Sequence, residues 1–149
     1  MKFNCTVIVD KPMEMVAGYF ADPANLGEYQ EGFISKELLE GNPGEEGSKS
    51  LFTYKQGKGV MKLTETIVEN DLPHKFVGHY HHTHMDNTMI CNFTALDENR
   101  TQYDTEIHYT AFRGFLPKIM AWLFPGLFKK QVMKWLENFK EFVEKQSEY

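Results

Sequence analysis

The stretch Phe128-Lys129-Lys130-Gln131-Val132-Met133-Lys134-Trp135-Leu136-Glu137-Asn138-Phe139-Lys140-Glu141-Phe142-Val143 decides the fold. Phe128, Val132, Trp135, Phe139 and Phe142 recur at helical intervals, and Leu136 and Val143 widen the stripe. Lys129, Lys130, Lys134, Glu137, Lys140, Glu141 and Glu144 fill the other side. This spacing predicts a long amphipathic helix whose apolar face must be covered by another layer. Upstream, Ser48–Gln56, Val60–Asn70, Lys75–His84, Thr88–Leu96 and Thr101–Phe112 read as successive strands. They are separated by Gly57-Lys58-Gly59, Asp71-Leu72-Pro73, Met85-Asp86-Asn87 and Asp97-Glu98-Asn99. Breaks this short imply an antiparallel meander.

Further out, Phe3, Cys5, Val7 and Val9 alternate with polar residues as in a half-buried strand. Pro12 is suited to the first position of a helix, with Asp10 as its cap, and Met13, Val16, Tyr19 and Phe20 follow at helical spacing up to Asp22-Pro23. A second short helix or turn over Ala24 to Tyr29 leads to a strand at Phe33 to Leu39. The turn formers from Gly41 to Gly47 then make a loop. The expected architecture is α+β: six to seven antiparallel strands curved around the C-terminal helix, with two short helices after the first strand. No linker or repeat divides the chain, so one domain over residues 1–149 is expected.

The composition narrows the function. With 16 Lys+Arg against 21 Asp+Glu the formal charge is −5, and no basic run exceeds two residues, which disfavours nucleic acid. Cys5 and Cys91 lie in alternating apolar stretches, as core thiols of a reducing compartment do. No apolar run has the length of a signal peptide or a spanning helix, and a cytoplasmic location is expected. There is no G-x-S-x-G motif, and Gly57-Lys58-Gly59 falls short of a phosphate loop, so covalent catalysis and nucleotide binding are disfavoured and no cofactor is implied.

A bent sheet gripping one helix readily leaves a cavity between them, and the chain has 12 Phe, 7 Tyr and 8 Met to line it. On the fourth strand Met61, Leu63, Glu65 and Ile67 share a face, placing a carboxylate in an apolar row. Facing the cavity, Glu65 is a general base or ligand anchor; facing outward, it is a surface glutamate. Phe76, Gly78, Tyr80, His82 and His84 share the face favoured as concave, which makes Tyr80 and His82 pocket candidates or else residues solvating the open end of the sheet. His79 and His81 share the other face. A metal site there would need a third ligand such as Asp104, Glu106 or His108, and no local spacing defines one. On the last strand Tyr103, Thr105, Ile107 and Tyr109 form the better inward face.

The run Asp10-Lys11-Pro12-Met13-Glu14-Met15-Val16-Ala17-Gly18-Tyr19-Phe20-Ala21-Asp22-Pro23-Ala24-Asn25-Leu26 resembles the opening of START-like (SRPBCC) domains, which include polyketide cyclases, lipid-transfer domains and the birch-pollen allergen. The Leu38-Leu39-Glu40-Gly41 and Gly44-x-x-Gly47 turn, Thr64-Glu65-Thr66 leading to Pro73, and the long terminal helix agree with it. The resemblance covers essentially the whole chain and implies a helix-grip fold with an internal pocket.

The first functional expectation is a protein that binds an apolar or aromatic small molecule, lipid or polyketide-like. Its lining comes from Phe52 and Tyr54, Met61 and Leu63, Tyr80 and His82, Met89 and Phe93, Ile107 and Tyr109, and Val132, Trp135 and Phe139 of the terminal helix, with Trp135 central. The second is a cofactor-independent cyclase, dehydratase or isomerase in which Glu65 or His82 removes a proton and a tyrosine stabilises the enolate. The third is an interaction module. Phe112–Phe128, the most apolar segment, is broken at Pro117 and Pro125-Gly126 and reads as a short helix, a kink and the start of the main helix, with Phe115–Phe128 as the docking patch. It could serve as a lid, a transient membrane contact or a partner surface on a monomer or homodimer.

Overall fold

In the computed structural model, which describes residues 1–147, the alternating segments form seven antiparallel strands. They are β1 (Lys2–Val9), β2 (Phe33–Glu40), β3 (Lys49–Gln56), β4 (Gly59–Asp71), β5 (Lys75–His81), β6 (Met85–Asp97) and β7 (Arg100–Phe112). The order across the sheet is β1-β7-β6-β5-β4-β3-β2. Strands β2 to β7 are therefore a meander, and β1 closes against β7. The first two strands lie on opposite edges because α1 (Met13–Ala21), a 3-10 turn (Pro23–Asn25) and α2 (Leu26–Tyr29) connect them. After β7 come α3 (Phe115–Leu123) and α4 (Pro125–Glu144). Among the described residues no helix is long and apolar enough to cross a membrane.

Helix α4 meets the sheet through its predicted stripe: Leu136, Phe139 and Val143 are buried with Cys5, Val7 and Val9 of β1, Val16 of α1, and Phe93 and Tyr103. Polar ties fix its C-terminal half. Lys140 Nζ donates to the Ile8 carbonyl (2.6 Å), and the Asp10 amide donates to Glu144 (2.8 Å). Along β7, Asp104, Glu106 and His108 point away from the core, where Thr6 donates to Asp104 (2.6 Å) and Lys2 pairs with Glu106 (2.6 Å).

Two local expectations are corrected. Pro12 is the residue before α1 in extended conformation (ψ 147°), and no side chain caps that helix; the Asp10 carboxylate is not the cap. The β5–β6 turn is His82-Thr83-His84, whereas Met85-Asp86-Asn87 belongs to β6. The reason is Arg113: it donates to the His82 and Thr83 carbonyls and forks onto Asp86, so the turn is gathered where β7 ends. Strand β6 lies between β5 and β7, which separates the histidines of β5 from Asp104, Glu106 and His108. His81 instead pairs with Asp86 (2.6 Å), and among the described residues no group of three or more His, Cys, Asp or Glu is placed to hold a metal ion.

Candidate functional site

Between the concave face of the sheet and α4 lies a cavity of about 890 Å³. Strand β3 contributes Phe52 and Tyr54, β4 Met61, Leu63, Glu65 and Ile67, and β5 Phe76 and Tyr80. Met85, Asn87 and Met89 of β6, and Tyr103, Thr105, Ile107 and Tyr109 of β7, continue the wall. Phe128, Val132, Trp135 and Phe139 of α4 form the opposite side, Phe20, Leu26 and Tyr29 close one part of it, and Met120 and Leu127 of the α3–α4 segment close another. The period-2 logic of the sheet puts these residues together: the inward rows expected on β4 and β7 are the rows that line the cavity.

The polar centre of this wall is a cross-strand pair. Glu65 and Tyr80 are direct partners in the β4–β5 register, and the Tyr80 hydroxyl donates to Glu65 Oε2 at 2.7 Å. Glu65 is only 4% exposed, a position that a charge tolerates only when it is hydrogen-bonded or paired. Its second partner is the ammonium of Lys36, 3.7 Å from Oε1 and 5.3 Å above the centroid of the Phe52 ring. On the other side of Glu65 the β3 partner is Ser50, small and buried. Gly78 completes the geometry. A Cβ at residue 78 would come within 2.8 Å of the Tyr80 hydroxyl and 2.9 Å of its ring, so any other residue there would push the ring out of this position.

Burial, and then the negative charge of Glu65, push the Tyr80 hydroxyl far above its ordinary pKa, and Tyr54 is raised by the same two causes. Burial raises Tyr29 and Tyr103 as well, and pushes Tyr109 up to about 12. All five are therefore neutral donors at physiological pH. Tyr54 spends its proton on Gln30 Oε1 (2.8 Å) and stacks on Trp135 with 5.7 Å between ring centroids. The Trp135 Nε1 is buried and has no hydrogen-bond partner among the described residues.

His82 lines the cavity from the β5–β6 turn rather than from a strand. Its Nδ1 accepts the His84 amide (3.1 Å). Burial, followed by the nearby charges of His84, His81 and Arg113, lowers its pKa below that of free imidazole. His84 is exposed and does not reach the cavity, because the chain has already left the strand alternation at residue 82.

Of the expected lining, Phe93 alone lies off the cavity wall. It is buried in the core, stacked on Tyr103 at 4.7 Å and edge-on to Phe20 at 5.2 Å. Phe20 and Tyr103 stand between it and the open volume. Sequence reasoning missed Lys36, and the cause is a β-bulge in β2. Phe33 pairs with Tyr54 and Lys36 with Phe52, with a register shift between Phe33 and Ser35, so one extra residue brings Phe33 and Lys36 onto the same inward side. Met85 and Asn87 were missed with the misplaced turn. Alternation counted back from Met89 would have found both.

The architecture is the helix-grip, START-like fold. The structure is similar to Zhui aromatase/cyclase from Streptomyces sp. R1128, with a TM-score of 0.80 and 13% identity over 97% of this chain and 93% of that one. The di-domain ARO/CYC StfQ from the steffimycin biosynthetic pathway matches with a TM-score of 0.75 and 12% identity over 95% of this chain and 45% of that one. Ara h 8.0201 matches with a TM-score of 0.71 and 12% identity over 98% and 99% of the two chains. At these identities the likeness is one of fold. No protein-family model and no curated protein matches the sequence.

Proposed function

We propose that the chain is a single ligand-binding domain that holds an apolar or aromatic small molecule, lipid or polyketide-like, between sheet and α4. The observation that carries this reading is the cavity of about 890 Å³, large enough for a ligand of a few hundred daltons and walled largely by aromatic, aliphatic and Met side chains, with the buried Glu65–Tyr80–Lys36 group among its polar residues. Phe52, Tyr54, Met61, Leu63, Met89, Ile107, Tyr109, Val132 and Phe139 would supply apolar contact, Trp135 the central aromatic surface, and Glu65 and Lys36 the anchor for a ligand hydroxyl or ketone. Two buried thiols with no disulfide, Cys5 and Cys91, support a reducing, cytoplasmic setting. Native mass spectrometry of freshly purified protein, before and after denaturation and organic extraction, tests the proposal. The expected result is an added mass of a few hundred daltons that leaves on denaturation. A bare mass that also fails to load with added fatty acids or polycyclic aromatics would overturn it.

The buried carboxylate supports a second reading: a cofactor-independent cyclase, dehydratase or isomerase. Glu65 Oε1, or neutral His82 through Nε2, would take a proton from a carbon next to a carbonyl, and the Lys36 ammonium and a tyrosine hydroxyl would hold the enolate oxygen. Two of the similar structures are aromatase/cyclases, which adds to this reading. A linear poly-β-ketone thioester is the probe. Cyclised or dehydrated product that disappears in Glu65→Gln while ligand loading persists is the expected outcome of catalysis. Loading with no product, in wild type as in Glu65→Gln, restricts the protein to binding.

A further inference from the structure

Helix α3 is two-sided. Met120, with Leu127 and Phe128 just beyond the kink, lines the cavity, while Phe115 and Trp122 stand 81% and 80% exposed and Leu116, Leu123, Phe124 and Leu127 are at least half exposed. Phe115, Lys118 and Trp122 are spaced to share one face of the helix, and all three are exposed. A contiguous apolar surface with a protruding Trp and Phe is uncommon on a protein that has nothing to dock on.

The charge along this part of the chain is as one-sided as the apolarity. The chain carries a net charge of −5, yet no Asp or Glu occurs between Glu106 and Glu137, whereas Arg113, Lys118, Lys129, Lys130 and Lys134 all fall there. Lys118, Lys129 and Lys130 are exposed and meet no carboxylate among the described residues. Arg113, held on Asp86, and Gly114, whose φ of 89° favours glycine, form the turn from β7 into α3. Exposed aromatic and Leu side chains with lysines and no acids are the chemistry of a helix that lies in the interface of an anionic bilayer.

We propose that α3 docks on the surface of an anionic lipid bilayer, sinking Phe115, Leu116, Trp122 and Phe124 among the acyl chains while Lys118, Lys129 and Lys130 meet the headgroups. Because the opposite side of the same segment is cavity wall, docking brings the cavity to the membrane, where an apolar ligand could enter or leave without crossing water. The inference stands apart from the identity of the ligand.

The test is co-sedimentation of the full chain with vesicles of phosphatidylcholine alone and of phosphatidylcholine mixed with phosphatidylglycerol. Binding is expected to the mixed vesicles, to fall by about tenfold or more without the anionic lipid or in high salt, and to fall similarly in the double variant Phe115→Ser/Trp122→Ser. Near-ultraviolet circular dichroism and ligand loading of that variant, both unchanged, separate docking from misfolding. Brominated lipid should quench wild-type tryptophan fluorescence but not that of Trp122→Phe, whose remaining Trp135 is enclosed. Failure to bind mixed vesicles, equal binding to neutral ones, or equal binding by the folded double variant would each overturn the proposal. So would light scattering that shows a dimer in which Trp122 is shielded from acrylamide, since a second copy would then be the occupant.

Discussion

The two halves of α4 carry the same apolar stripe and do different things with it. In the C-terminal half, Leu136, Phe139 and Val143 are almost wholly buried, and Phe139, though it also borders the cavity, meets Phe20, Tyr29 and Tyr103 edge-on at 5.0 to 6.4 Å. In the N-terminal half, Leu127 is half exposed, and Phe128, Val132 and Trp135 border the cavity. The stripe determines which way a helix faces; how far the opposite wall stands from it is set by the curvature of the sheet and by what lies between. Near Val143 that wall is β1 in direct contact, tied by Lys140 and Glu144, and near Trp135 it is the bent middle of β3 to β7.

The contrast can be broken by mutation. Phe139→Ala should lower stability by about 3–5 kcal/mol in urea denaturation, since a well-packed aromatic leaves a hole. Trp135→Ala, on the open side, should cost less than half as much while abolishing ligand retention; equal costs would mean that both halves of the helix are packed alike. Next in size is the polar pair. Tyr80→Phe removes a hydrogen bond to a buried carboxylate and should cost about 1.5–3 kcal/mol. A double-mutant cycle with Glu65→Gln should return a coupling of similar size, and zero coupling would mean that the bond is not made in solution.

The Asp86–Arg113 clasp, outside the cavity, should contribute less. The Arg113 hydrogen bonds hold the Asp86 carboxyl down at about 2, below its ordinary value, so its contribution is complete above the unfolded pKa near 4 and is lost as the pH falls from there toward 2. At this partly exposed site that amounts to about 1 kcal/mol, and Arg113→Ala should flatten that limb of the pH–stability curve. Smallest of all is Trp122→Ala, which should leave stability within about 0.5 kcal/mol because the side chain touches almost nothing. A larger loss would place α3 in the packed body of the protein.

Where the sequence was legible, a strict period was at work. The alternations Met61-Leu63-Glu65-Ile67 and Tyr103-Thr105-Ile107-Tyr109 carried their inward faces without interruption, and Phe128 to Phe142 did so at helical spacing. What stayed hidden broke a period or depended on depth. The bulge in β2 turns Lys36 inward against its apparent phase, and a run of histidines that alternates like a strand is bent into a turn by an arginine far along the chain. Phe93 alternates as correctly as Ile107 does, but lies beneath the Phe20 and Tyr103 rings. No local pattern records which layer a side chain occupies.

Gly78 has a consequence for how this chain can vary. The Tyr80 ring rests in the space where a side chain at 78 would sit, so the acid–phenol pair is specified by three positions, one of which has no chemistry of its own. Among random variants selected for ligand retention, residue 78 should tolerate as few replacements as residue 65. Even a methyl group at 78 would push the ring aside and with it the hydroxyl that satisfies Glu65. A lineage that keeps the buried carboxylate in this geometry is thereby under pressure to keep the glycine.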